Sequence, residues 1–227
     1  MWFDNVGTFI EFGFQHIIPQ GLDHVLFVVA LYLNACNWPS LILQVTTFTV
    51  AHTITLGLAA TGILSSPGNI IEPLIAVSII VLALEAIFAP KGTAWRLPVI
   101  FAFGLLHGLG FGSVMKVYLE NADLSAGLIG ITIGVELGHL AVLVATGLAA
   151  FAVQLALKSA NKPNLYRPAF VIPVAVLIAL VGTYWALQRV VTCIRFFRPR
   201  AAWVTAFCEA LRFRGPRAAL ESDGHEP

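Results

Sequence analysis

Apolar runs separated by short polar breaks dominate the chain. The clearest cover residues 25–33 with an upstream extension, 41–62, 70–89, 97–114 and 168–187. Turn signals bound each of them: Asn37 and Pro39 before the second, TGILSSPGN before the third, and Pro90, Lys91 and Gly92 after it. Such short connections predict antiparallel neighbouring helices. A further stretch, 126–157, would form a helix of about 48 Å, too long for one bilayer core of about 30 Å and too short for two crossings. A tilted or interfacially extended helix is expected there. Near the start, Pro19, Gln20 and Gly21 interrupt an apolar run that begins at Val6, which predicts an amphipathic or half-inserted helix and then a span from about Gly21.

Of the 227 residues 58% are hydrophobic and 11% charged, against about 25% charged in a soluble domain. A soluble globular fold is excluded. The expected class is an all-α polytopic membrane protein of about six or seven transmembrane helices, since each span needs about 20 apolar residues. One helical domain, 1–190, would hold spans at 21–34, 41–62, 70–89, 96–114, 126–155 and 168–189, followed by a basic tail, 191–227, either amphipathic or disordered. The start, MWFDNVGTFIEF, lacks the basic region of a secretory signal and reads as mature protein. Cys36, Cys193 and Cys208 have no paired spacing, so neither a disulfide framework nor a thiolate metal site is indicated.

Charge is segregated: no Lys or Arg occurs in the first 90 residues, and ten of the thirteen lie from Lys158 onward. The basic tail outweighs the opposing loop charges and points to a cytoplasmic C-terminus. The apolar stretches nevertheless hold, or border on, five of the six histidines, His16, His24, His52, His107 and His139, with Asp23, Glu72, Glu85 and Glu136. Four ionised, unpaired carboxylates at bilayer depth would cost on the order of 10 kcal/mol. Protonation, an interfacial position or a bound cation would offset that, and mixed imidazole and carboxylate donors suit nickel, cobalt, zinc or iron.

Asp23 and His24 follow the break in HIIPQGLDH, the kind of unwound segment that lines transporter cavities; a plainer reading makes Asp23 a helix cap and His24 an interfacial residue. Thr46, Thr49, His52, Thr53 and Thr55 fill one arc of about 180°, a polar stripe that either lines a pathway or bonds helices together. Pro73 suits a first helical turn, so Glu72 is expected at a helix amino end. Glu85 is a candidate ligand or an interfacial residue. Gly104, Gly108 and Gly112 form a ridge for close packing, with His107 beside it. Glu136 and His139 stand at i and i+3 on one face, a spacing by which helical bundles present two ligands to one metal.

The blocks GLDHVLFVVALYL, VTTFTVAHTITLGLAATG, IEPLIAVSIIVLALE, FGLLHGLGFG and GVELGHL, in that order, resemble the HupE/UreJ family of hydrogenase and urease accessory membrane proteins, over roughly residues 10–150. The resemblance implies nickel or cobalt movement across a bacterial cytoplasmic membrane by a multi-pass protein that supplies nickel enzymes and their maturation proteins. Nickel permeases carry a His, four residues, then Asp-His; six residues separate His16 from Asp23 here, so Asp23 and His24 carry over better than His16.

The leading expectation is therefore a divalent-metal permease, not an enzyme, with Asp23, His24, His52, His107, Glu136 and His139 as its site and His16 and Glu85 as outlying candidates. Loading such a site releases protons, so proton coupling is consistent with it. The metal is cargo, with no tightly bound cofactor, and a homo-oligomer is compatible with the sequence. Two competitors use the same residues: an intramembrane metal or haem enzyme, and a non-transporting accessory scaffold whose His and Glu bond helices together. No nucleophile triad context and no phosphate-binding loop is recognisable, and a chain whose basic residues flank the membrane is no candidate for nucleic-acid binding.

Overall fold

The computed structural model describes residues 2–64, 68–88, 95–119 and 123–212, with side chains except at 2–5, 113, 114, 117 and 195–212. Its elements are α1 (Trp2–Ile17), α2 (Leu22–Asn34), α3 (Trp38–Ala60), α4 (Gly68–Phe88), α5 (Arg96–Leu119), α6 (Leu124–Ser159) and α7 (Ile172–Arg212). A 3-10 turn, Pro163–Leu165, and a π turn, Arg167–Val171, lead into α7. No strand occurs among the described residues, and the chain is an all-α polytopic membrane protein. Capping chemistry sets the helix starts: Asn37 accepts the Ser40 N–H at 2.9 Å ahead of α3, and Asp123 accepts those of Ser125 and Ala126 ahead of α6.

Among the described residues four helices are long and apolar enough to cross a membrane, α3, α4, α6 and α7 with its lead-in. The helices of the bent pair α1 and α2, 72° apart, are long and apolar enough only when taken together, as a broken span or a re-entrant loop, and Arg96–Gly112 within α5 is a shorter apolar helix. Side-chain registers fix the directions. Gly104 and Gly108 of α5 meet Phe48 and His52 of α3, so these two helices run parallel. Thr46 meets Glu136 and Thr53 meets Thr132, so α3 and α6 are antiparallel. Arg167 reaches Ile87 and Arg189 reaches Glu72, so α4 and α7 are antiparallel too.

The long stretch after Asp123 proves to be one continuous helix of 36 residues, about 54 Å at 1.5 Å per residue. Its length has a packing reason. Gly130, Gly134 and Gly138 take α1 against its first half in parallel, and Gly147 takes Tyr32 of α2 further along. Thus α1 and α2 both lie along α6 as the two halves of a bent pair. The break falls at Thr-free, proline-containing sequence: Pro19 has no N–H to continue the ladder, and a Cβ at Gly21 would collide with the His16 carbonyl and lie 3.2 Å from Ile17 Cα.

Two further expectations change. Helix α4 starts at Gly68, so Pro73 lies inside it and Glu72 is not in its first turn. Two of the carboxylates, the half-buried Glu85 and the exposed Glu72, also find basic partners, which reach them from helices later in the chain. Arg96 donates to Glu85 Oε1 at 2.6 Å and to the Asn34 carbonyl at 2.8 Å, and Arg189 Nε lies 3.9 Å from Glu72 Oε2. The loop with Pro90, Lys91 and Gly92 lies outside the described residues. So does the end of the expected tail: its first part continues α7 to Arg212, and 213–227 are not described.

Candidate metal centre

Helix α2 is the axis of the bundle, and His24 in its first turn is the hub of the site. The ring centre of His24 lies 4.9 Å from His16 of α1, 5.4 Å from His52 of α3, 4.8 Å from His107 of α5 and 5.8 Å from His139 of α6. His52, Ser78, His107 and His139 all fall near the middle of their helices. The convergence is therefore at mid-bundle, beside the break between α1 and α2. Glycine makes it possible, because a Cβ on Gly108 would strike the His52 carbonyl and Thr55 Oγ1.

Hydrogen bonds orient the rings. Asp23 Oδ1 accepts the His24 backbone N–H at 2.9 Å and lies 3.1 Å from His24 Nδ1. An ionised carboxylate only accepts, so Nδ1 carries the proton and the lone pair sits on Nε2, which has no partner. Ser78 donates its one hydroxyl hydrogen to the Ile75 carbonyl at 2.7 Å. It can then only accept from His107 Nε2 at 3.1 Å, which leaves the lone pair on His107 Nδ1, also unpartnered. His139 Nδ1 lies 3.1 Å from Thr49 Oγ1, and its Nε2 is unpartnered. His52 is fully buried, and both of its ring nitrogens lack a partner. Aromatic rings wall the cluster: Phe111 stacks on His16 at 3.6 Å, and Phe48 lies 5.0 Å from His107 and 5.5 Å from His139.

Among the described residues two trios bring ligand atoms within 4.8 Å of one another, His16 with His24 and His52, and Asp23 with His24 and His107. Five of the sequence candidates thus meet in ligating geometry, and His139 joins by ring contact with His24. Glu136 stands aside: its Oε1 accepts from Thr46 Oγ1 at 2.8 Å, and it belongs to neither trio. Glu85 is not brought to the cluster at all, because it pairs with Arg96 seven residues beyond Ser78. Sequence reasoning missed the orienting role of Ser78, whose signal was its place on the Glu85 face of a helix otherwise all apolar there. It also missed Phe111, one helical turn after His107.

The cluster opens on one side only among the described cavities. A cavity of about 260 Å³ is lined by His16, Asp23, His24, Glu72, Ile75, His107, Gly110, Phe111 and Arg189. A second, of about 400 Å³, shares Glu72 and Arg189 with it and continues past Thr192 and Cys193. Together they form a vestibule from the α4 amino end and the later part of α7 down to the histidines. Arg189 spans the junction, donating to the Glu72 carbonyl at 2.8 Å.

No curated protein and no solved structure matches the chain. The family model described as HupE / UreJ protein matches residues 1–189, and the chain belongs to that family.

Proposed function

We propose that the protein is a permease for a divalent transition-metal ion, nickel or cobalt, which crosses the membrane by way of the histidine cluster. The observation that carries this reading is the set of unpartnered nitrogens on His16, His24, His52, His107 and His139, gathered within one bundle. An unpaired buried polar group costs about 1–3 kcal/mol, and histidines retained only to bond helices together would be bonded. A visiting cation supplies the missing partner. Imidazole with one carboxylate suits nickel and cobalt, which bind nitrogen donors well. The family supports a metal-related membrane role.

The vestibule sets the chemistry of ligand exchange. Between its mouth and the cluster an ion passes Glu72 and Asp23 and trades water for imidazole at His24 and His107. Binding requires bare lone pairs, so any proton held there leaves as the ion arrives, which couples metal movement to protons. Few ligands and the absence of thiolate keep the ion exchangeable. A bacterial cytoplasmic membrane and delivery to nickel-enzyme maturation proteins belong to the same proposal.

Radiolabelled nickel uptake into proteoliposomes tests it, with wild type set against His107→Ala and Asp23→Asn. Uptake by wild type that falls at least tenfold in both variants is expected. Equal flux in all three would sink the proposal.

A further inference from the structure

The two ligand trios share His24 and differ in everything else. Asp23, His24 and His107 all line the vestibule. The other trio takes His16 and His24 from the same lining but ends on His52, which does not line it, is 0% exposed, and has neither ring nitrogen bonded. A neutral imidazole carries one N–H and one lone pair, and leaving both without a partner in a packed interior is the least favourable arrangement in the cluster. That lone pair therefore points to an ion position deeper than the vestibule reaches.

We infer that the cluster is two overlapping metal stations: an outer one on Asp23, His24 and His107, and an inner one on His16, His24 and His52. Asp23 holds the His24 Nδ1 proton, so His24 offers a single lone pair, at Nε2. One ion occupies the stations in turn and never both at once. Handover pivots on His24 and exchanges α2 and α5 ligands for α1 and α3 ligands across the break in the first span. The outer station has one oxygen and two nitrogen donors and the inner has three nitrogens, so an ion that prefers imidazole is drawn inward. This rests on the transport reading for its purpose, while the two positions stand on their own geometry.

Cobalt(II) titration of the full chain in detergent, followed by visible absorption, separates the stations, with nickel uptake in proteoliposomes beside it. His52→Gln confines the ion to the outer station and His107→Gln to the inner. Each variant is expected to bind one cobalt per chain, with the all-nitrogen site of His107→Gln absorbing at shorter wavelength, and each to lose at least tenfold in uptake. His16→Gln, at a half-buried side chain, must reproduce the His52→Gln spectrum, and Asp23→Asn must reproduce that of His107→Gln. These keep the test decisive where a fully buried variant fails to fold. Identical spectra for the two classes, loss of binding in both, or two cobalt ions bound at once to wild type would overturn the inference. Wild type that binds cobalt with no nickel uptake would instead overturn the transport reading alone.

Discussion

Single hydrogen atoms decide what this cluster presents to an ion. The Ser78 hydroxyl is committed to the Ile75 carbonyl and so dictates which nitrogen of His107 is bare. Ser78→Ala removes the acceptor without touching a ligand, and outer-shell partners of this kind typically contribute 10- to 100-fold in metal affinity. A tenfold or larger drop in nickel affinity is expected, measured by titration calorimetry, while thermal stability in detergent falls by only about 1 kcal/mol. Ser78→Thr, which restores the hydroxyl, should recover most of the affinity. Glu85 makes the opposite case. Glu85→Gln leaves the buried Arg96, 5% exposed, without its counter-charge. Removing one partner of a buried pair destabilises by about 3 kcal/mol at the low end of the usual range. Nickel affinity of the folded protein should stay within about twofold of wild type; a tenfold fall would show that Glu85 belongs with the ligands after all.

At the scale of helices, close approach positions the ligands, and small residues permit it. Gly108 lies against the His52 carbonyl, so a single added methyl pushes α5 away from α3 and carries His107 away from His52. Gly108→Ala should cost about 1–3 kcal/mol through overpacking, seen as a lower unfolding temperature in detergent, with nickel uptake reduced more than stability. The spacing of Gly104, Gly108 and Gly112 was legible in the sequence, as were the apolar runs, the break at Pro19 and Gly21, and the histidines themselves. Each is a local signal, readable from one segment. What a segment cannot announce is its partner. Arg96 and Arg189 sit at positions that look like ordinary membrane flanks, and only the antiparallel register of α4 with α7 and the return of α5 bring them to Glu72 and Glu85. Likewise, the i and i+3 spacing of Glu136 and His139 aligns them on one face of α6, yet Thr46 and Thr49 receive them separately. The length of α6 was puzzling for the same reason, because its explanation lies in two half-helices stacked along it and not in its own residues.

Across the whole molecule the two ends of the bundle differ. At one end Arg96 ties the last turn of α2 to α4, through the Asn34 carbonyl and Glu85, while Arg167 donates to the Ile87 carbonyl at 2.7 Å. At the other end the vestibule runs from Cys193 past Arg189 to the histidines. Two native cysteines report on these ends: Cys36 is exposed beside the α2 to α3 turn, and Cys193 is half-buried in the vestibule wall. From Val171, which shares a cavity with Cys36, to Cys193 is 22 residues of largely helical chain, about 33 Å at 1.5 Å per residue, so the two thiols stand on opposite sides of a bilayer core of about 30 Å. The basic tail follows Cys193, and the orientation expected from the charge bias, with that end cytoplasmic, is what labelling tests. In a Cys208→Ser background, a membrane-impermeant maleimide added to right-side-out vesicles should therefore label Cys36 and spare Cys193, and inverted vesicles should give the reverse. Labelling of Cys193 narrows the vestibule and should slow nickel uptake at least fivefold, with Cys193→Ser abolishing that sensitivity. Labelling of both thiols from one side would contradict the placement of Cys36 and Cys193 across the bilayer core, and labelling of Cys193 only from outside would turn the vestibule toward the exterior.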